Sequence, residues 1–128
     1  MNSPYQYFDI EELICHGKDC GCDHELHMEP SFMTKVIAMR RELGFPFVVT
    51  SAYRCPKHNA EVSHTGSKGP HTTGRAIDIL VRGTRAYDLV NSAYQYGITG
   101  IGVSQKGEQR FIHLDDLTSS SRPTIWSY

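Results

Sequence analysis

A carboxylate in the middle of an apolar run constrains this chain more than any other feature. The run is Ala76-Ile77-Asp78-Ile79-Leu80-Val81, which reads as a buried strand. Carboxylates are rarely left inside a protein without a cation or several donors, so Asp78 needs a partner. His71 is near in sequence, but seven residues of straight helix would set the two about 10 Å apart. Gly74 between them supplies a bend, which puts His71 on a turn and Asp78 in the strand.

A further partner lies in Arg110-Phe111-Ile112-His113-Leu114-Asp115. Side chains alternate along a strand, so Phe111, His113 and Asp115 share one face and Ile112 and Leu114 the other. His71, Asp78 and His113 then form a nitrogen and oxygen set that suits Zn2+. A fourth position left to water would mark a catalytic site. The alternative is that both histidines are ordinary polar residues, each satisfied by a hydrogen bond.

His71, Gly74, Ala76, Asp78 and His113 follow the pattern His-x-x-Gly-x-Ala-x-Asp…His-x-Asp. In this the chain resembles the zinc D-Ala-D-Ala carboxypeptidases and related peptidoglycan peptidases, which share a fold with the Hedgehog signalling domain. Thr50-Ser51-Ala52-Tyr53-Arg54-Cys55-Pro56-Lys57-His58-Asn59 is similar to a second segment of that family, and the likeness runs over roughly residues 6 to 128. The resemblance implies an α+β fold with a small antiparallel sheet packed against helices and zinc in a cleft on the sheet. It also implies that Arg54 helps to hold the substrate or the loop of the zinc site, with Ser51 and Ser67 as further substrate contacts. The family usually has Ser two residues before its first zinc histidine, where this chain has Gly69.

Peptide hydrolysis also asks for a carboxylate that takes the proton of the attacking water. Several relatives carry one shortly before the last zinc histidine, whereas the third position before His113 is Arg110. Asp115 and Glu108 remain as catalytic candidates, with Asp115 preferred. Its other role would be to orient His113 or to pair with Arg54.

Length and composition narrow the rest. The 128 residues suit one domain, with a cap over 1–29, a core over 30–117 and a tail over 118–128. A net charge of −1 without a basic run argues against nucleic acid as a partner. No stretch is apolar enough for a signal or membrane span, so the expectation is a monomer made in the cytoplasm without a signal peptide. Its partner would be a peptidoglycan peptide, and small members of this kind suggest a phage or prophage protein that reaches the wall through a holin. The runner-up is a zinc-binding module of a phage structural protein without turnover. A thiol enzyme using Cys55 or Cys15 has no convincing base beside either cysteine.

Cys15, Cys20 and Cys22 interleave with His16, His24 and His27. Their spacing is not that of a standard zinc finger, and the segment reads as a turn-rich cap with free thiols, with a second metal as the alternative. Phe32, Val36, Met39 and Leu43 mark a helix from Pro30, capped by Ser31 and closed by Gly44. Ala86, Leu89, Val90 and Ala93 mark another, capped by Thr84. Strands are expected at 47–50, 98–103 and 110–115, a local turn at His58 and Asn59, and loops at 63–70 and 119–128. Trp126 should pack on the domain or the cleft rim.

Overall fold

The structure, a computed structural model, describes residues 3–128; Met1 and Asn2 of the expected cap lie outside the described residues. Helices α1 (Ile10–Leu13), α2 (Pro30–Leu43), α3 (Pro56–Val62) and α4 (Gly83–Gln95) accompany strands β1 (Val48–Ser51), β2 (Ala76–Leu80), β3 (Gly100–Ser104), β4 (Phe111–Asp115) and β5 (Thr124–Ser127). The strands form one sheet in the order β1-β2-β4-β3-β5.

The apolar half of the strand alternation builds the core. Ile77, Ile79, Ile112 and Leu114 are essentially unexposed and join Phe32, Met33, Val36 and Met39 of α2 and Leu89 and Ala93 of α4 in one cluster. The two long helices are thus where the 3.6-residue period puts them, although their first turns differ from expectation. Pro30 stands at the first helical position of α2 with Glu29 as its cap residue, while the Ser31 hydroxyl accepts from Arg75 Nη2 at 2.8 Å. In α4 the cap residue is Arg82, so Thr84 lies inside the helix. Gly44 closes α2 in the left-handed conformation, as expected.

The sheet is mixed. Strand β2 lies antiparallel to β1 and β4, and β3 antiparallel to β4, but β5 runs parallel to β3. The tail expected as a loop therefore supplies the edge strand. Cross-strand pairing sets Ser51, Asp78, His113, Gly102 and Trp126 in one row across all five strands. Residues paired in this way share a face.

Candidate metal centre and cleft

The first ligand position depends on Gly74. Pro70–Thr73 form one short 3-10 turn carrying His71, and Gly74 ends it at φ 76° before β2 begins at Ala76. A Cβ on Gly74 would stand 2.2 Å from the carbonyl oxygen of His27, so both the backbone conformation and the lack of space require glycine. This is the bend that brings His71 round to Asp78.

The donors then converge. His71 Nε2 is 3.3 Å and His113 Nδ1 3.0 Å from the same Asp78 oxygen, Oδ1. One ligand atom from each residue lies within 4.8 Å of the others. Donors about 2.0–2.2 Å from a tetrahedral ion are about 3.3–3.5 Å apart, so the set has the dimensions of a single metal site.

The outer nitrogens decide which ring atoms face inward. His71 Nδ1 lies 2.6 Å from the carbonyl oxygen of Ala52, to which it must donate, leaving Nε2 with a lone pair. His113 Nε2 lies 2.7 Å from Asp115 Oδ2, and donation there leaves the lone pair on Nδ1. Two neutral imidazoles so held aim lone pairs at a carboxylate, an arrangement that calls for a cation or an extra proton. The residues present therefore fit a metal ion.

Burial alone would push the Asp78 carboxyl up; with a proton in place of an ion on the facing ring nitrogens, hydrogen bonds from His113 and His71 outweigh it and hold the group well below the usual carboxylate range. Burial opposes charge on His113 as well, yet Asp115 and Asp78 prevail and raise its pKa.

Asp115 is fully buried. Its oxygens accept from Arg122 Nε and Nη2, each at 2.9 Å, while Oδ2 also takes the His113 bond. Burial raises its pKa, but His113 and Arg122 more than reverse this and lower it to about 2. The Arg122 guanidinium also sits 5.1 Å over the Trp126 ring, and Trp126 lies 5.1 Å from the His113 ring. Glycines on β3 make room for both layers: a Cβ at Gly100 would meet Asp115, and one at Gly102 would come within 2.7 Å of Trp126 Nε1.

His71, Asp78 and His113 lie in a cleft of about 1110 Å3, whose lining includes Arg54, His64, Lys68, Trp126 and Tyr128. Asp78 is the only carboxylate among the described residues that line it. The backbone N–H of Arg54 donates to the His71 carbonyl at 3.0 Å, and its Nη1 donates to Asn59 Oδ1 at 3.0 Å. Asn59 is fully buried on α3 and also donates to Thr65 and to the Gly66 carbonyl, so it ties the 63–66 loop to Arg54. The expected turn at His58 and Asn59 is thus a helix.

Several candidates stand elsewhere. Glu108 lines a separate pocket with Phe45, Arg82 and Arg110, away from the three donors. Ser51 lies beside Asp78 in the sheet and Ser67 is exposed on a short 3-10 turn, but neither is among the residues lining the cleft. The hydroxyl-bearing residues that line it are Ser63, Thr65, Ser119, Ser121, Ser127 and Tyr128. Arg122 was not singled out by sequence; the only signal for it was an otherwise unpaired Asp115 two residues beyond a candidate ligand.

No curated protein matches the chain. A family model, that of peptidase M15, matches residues 6–115, which include all three donors together with Arg54 and Asp115. On that match the chain belongs to the peptidase M15 family, that of the zinc D-Ala-D-Ala carboxypeptidases.

Proposed function

We propose that the chain is a zinc peptidase that hydrolyses peptide bonds of bacterial peptidoglycan, at a D-Ala end or crosslink or at the L-Ala-D-Glu bond. The observation that carries this reading is the convergence of two imidazole lone pairs and one carboxylate in an open cleft. Three protein donors with an accessible side suit catalytic zinc. Zinc bound there would polarise the scissile carbonyl and lower the pKa of a bound water to about 7.

The chain's own residues do the remainder. Ala52 and Asp115 hold one proton on each imidazole and so fix which nitrogen faces the site. Arg54 and Lys68 give the cleft cationic groups that suit peptides bearing free carboxylates. The bonds around Asp115 support an orienting role in place of proton abstraction, because both oxygens are taken up by Arg122 and His113. Glu108 has no part in this reading.

A second reading, a zinc-binding module of a phage structural protein without turnover, draws on one observation. No carboxylate besides Asp78 lines the cleft among the described residues, so no free one stands ready to take the water's proton. Phage or prophage origin, synthesis in the cytoplasm, holin-dependent release and action as a monomer belong to the proposal. No helix among the described residues is long and apolar enough to cross a membrane.

The test is mass spectrometry of peptidoglycan fragments after incubation with zinc-loaded protein, beside a chelated control. New peptide termini that vanish with chelator support the peptidase and name its bond. Stoichiometric zinc with unchanged fragments sinks the enzyme reading for this substrate class and favours the module.

A further inference from the structure

The segment between α1 and α2 runs from residue 14 to 29 without a helix or strand. Stretches of this length without structure of their own are uncommon in compact proteins unless a function or a cross-link holds them. Here something draws the segment inward. Cys15 and Cys20 are buried against Cys55 at the start of α3, with Cys22 and Tyr53 packed alongside. This cluster has no part in the site described above.

The four thiols are arranged as donors. One sulfur from each of Cys15, Cys20, Cys22 and Cys55 lies within 4.8 Å of the other three, and none is in a disulfide. Cys20 Sγ and Cys22 Sγ are 3.4 Å apart, well beyond bonding distance. Four thiolates about 2.3 Å from a tetrahedral ion stand about 3.8 Å from one another, so the spread suits one ion at their centre. A cluster with several metal atoms would hold its thiolates farther apart. A redox pair needs only two sulfurs and gives no reason for four to meet.

Two backbone donors point at the sulfurs. The backbone N–H of Gly17 points at Cys15 Sγ and that of His58 at Cys55 Sγ, each at 3.4 Å. Such donors stabilise negative sulfur. A Cβ on Gly17 would come within 2.7 Å of the His58 ring, so the turn after Cys15 and the first turn of α3 are packed as one unit. Lys57 Nζ adds a bond to the Asp19 carbonyl at 3.1 Å, which ties α3 to the turn next to Cys20.

We propose that Cys15, Cys20, Cys22 and Cys55 bind a structural zinc ion as a closed tetrathiolate site, separate from the His71, Asp78 and His113 centre. All four positions come from the protein, which leaves no room for substrate and makes the ion a staple. It joins the irregular N-terminal segment to α3, and Cys55 follows directly on Arg54 of the cleft. In effect the ion stands in for apolar core in the part of the segment before Leu26 and Met28, which join the main cluster.

Metal analysis of the full chain purified from zinc-supplemented cells tests the assignment. Wild-type protein should carry two zinc ions per chain, and a His71→Ala/His113→Ala variant one. The X-ray absorption spectrum of that variant should show four sulfur neighbours at about 2.3 Å. In case the variant does not fold, an organomercurial titration of the wild type should release one zinc as four thiols react. Four thiols that react at once in a protein free of zinc in the variant would overturn the proposal. So would a disulfide, seen as a mass lower by two hydrogens, or iron in place of zinc.

Discussion

The two donor clusters use the protein in opposite ways. His71, Asp78 and His113 sit on or beside strands of the sheet, with the Ala52 carbonyl and the Asp115 carboxylate each holding one ring and one side open to the cleft. The four cysteines sit on an irregular segment and a helix start and close on one another. The difference teaches what each metal would be for. A stiff frame can position an ion that must face a substrate, whereas a frame with little structure needs the ion to become stiff.

Substitutions of the open cluster should hit turnover hardest. His113→Ala should reduce peptide hydrolysis by several kcal/mol of transition-state stabilisation, on the order of a thousandfold or more. A kcat/KM within tenfold of wild type would break the assignment. In the closed cluster, Cys20→Ser should instead lower the melting temperature by about 10 °C or more, with chelator-sensitive turnover retained below the melt. Scanning calorimetry paired with the peptide assay reads both, and an unchanged melt would remove the distinction between the clusters.

Asp115→Asn sharpens the comparison within the open site. An orienting carboxylate should cost about 10–100-fold in metal affinity, with activity restored by added zinc. Competition with a chelator of known affinity measures this. If affinity is unchanged while activity disappears, Asp115 is the proton acceptor after all.

Its neighbour Asp116 provides the control. It is also buried, but it accepts from Arg75 Nε and Nη2 and from Lys35 of α2, all at 2.8 Å, and does not touch the site. Asp116→Asn should cost about 2 kcal/mol of stability and leave turnover below the melt unchanged. Burial raises the Asp116 pKa, but Arg75 and Lys35 more than reverse this and lower it. Its stabilisation is therefore complete above its unfolded value of about 3.9 and is lost as pH falls through the lower folded value. Circular dichroism should show the variant losing less stability than wild type on acidification, and parallel acid curves would contradict the pairing. An effect of similar size is expected from Gly102→Ala, whose methyl would push Trp126 off His113 at a cost of about 1–3 kcal/mol. A melting curve identical to wild type would show that the indole is not tightly seated.

How far the sequence could be read depends on where each signal lies. Asp78 stood out because a charge in an apolar strand has few explanations, and the α2 and α4 stripes repeat over several turns. Helix α3 was missed because Pro56 and the sulfur of Cys55 open it with little periodicity to follow. Strand β5 was missed for another reason. Pairing parallel to β3 is a contact between distant residues, and Ser119, Ser121 and Pro123 locally argue for a loop. The Arg122 fork on Asp115 and the arrival of Cys55 beside the other cysteines are likewise products of the fold, with no local trace.

The seat of Trp126 has a practical consequence. It is the only tryptophan in the chain, and its ring lies 5.1 Å from that of His113. Indole emission responds to the charge of a nearby imidazole, so the protein carries its own optical probe at the metal centre. Adding or stripping the ion at this centre should be visible in unlabelled protein, while events among the cysteines should leave that signal largely dark.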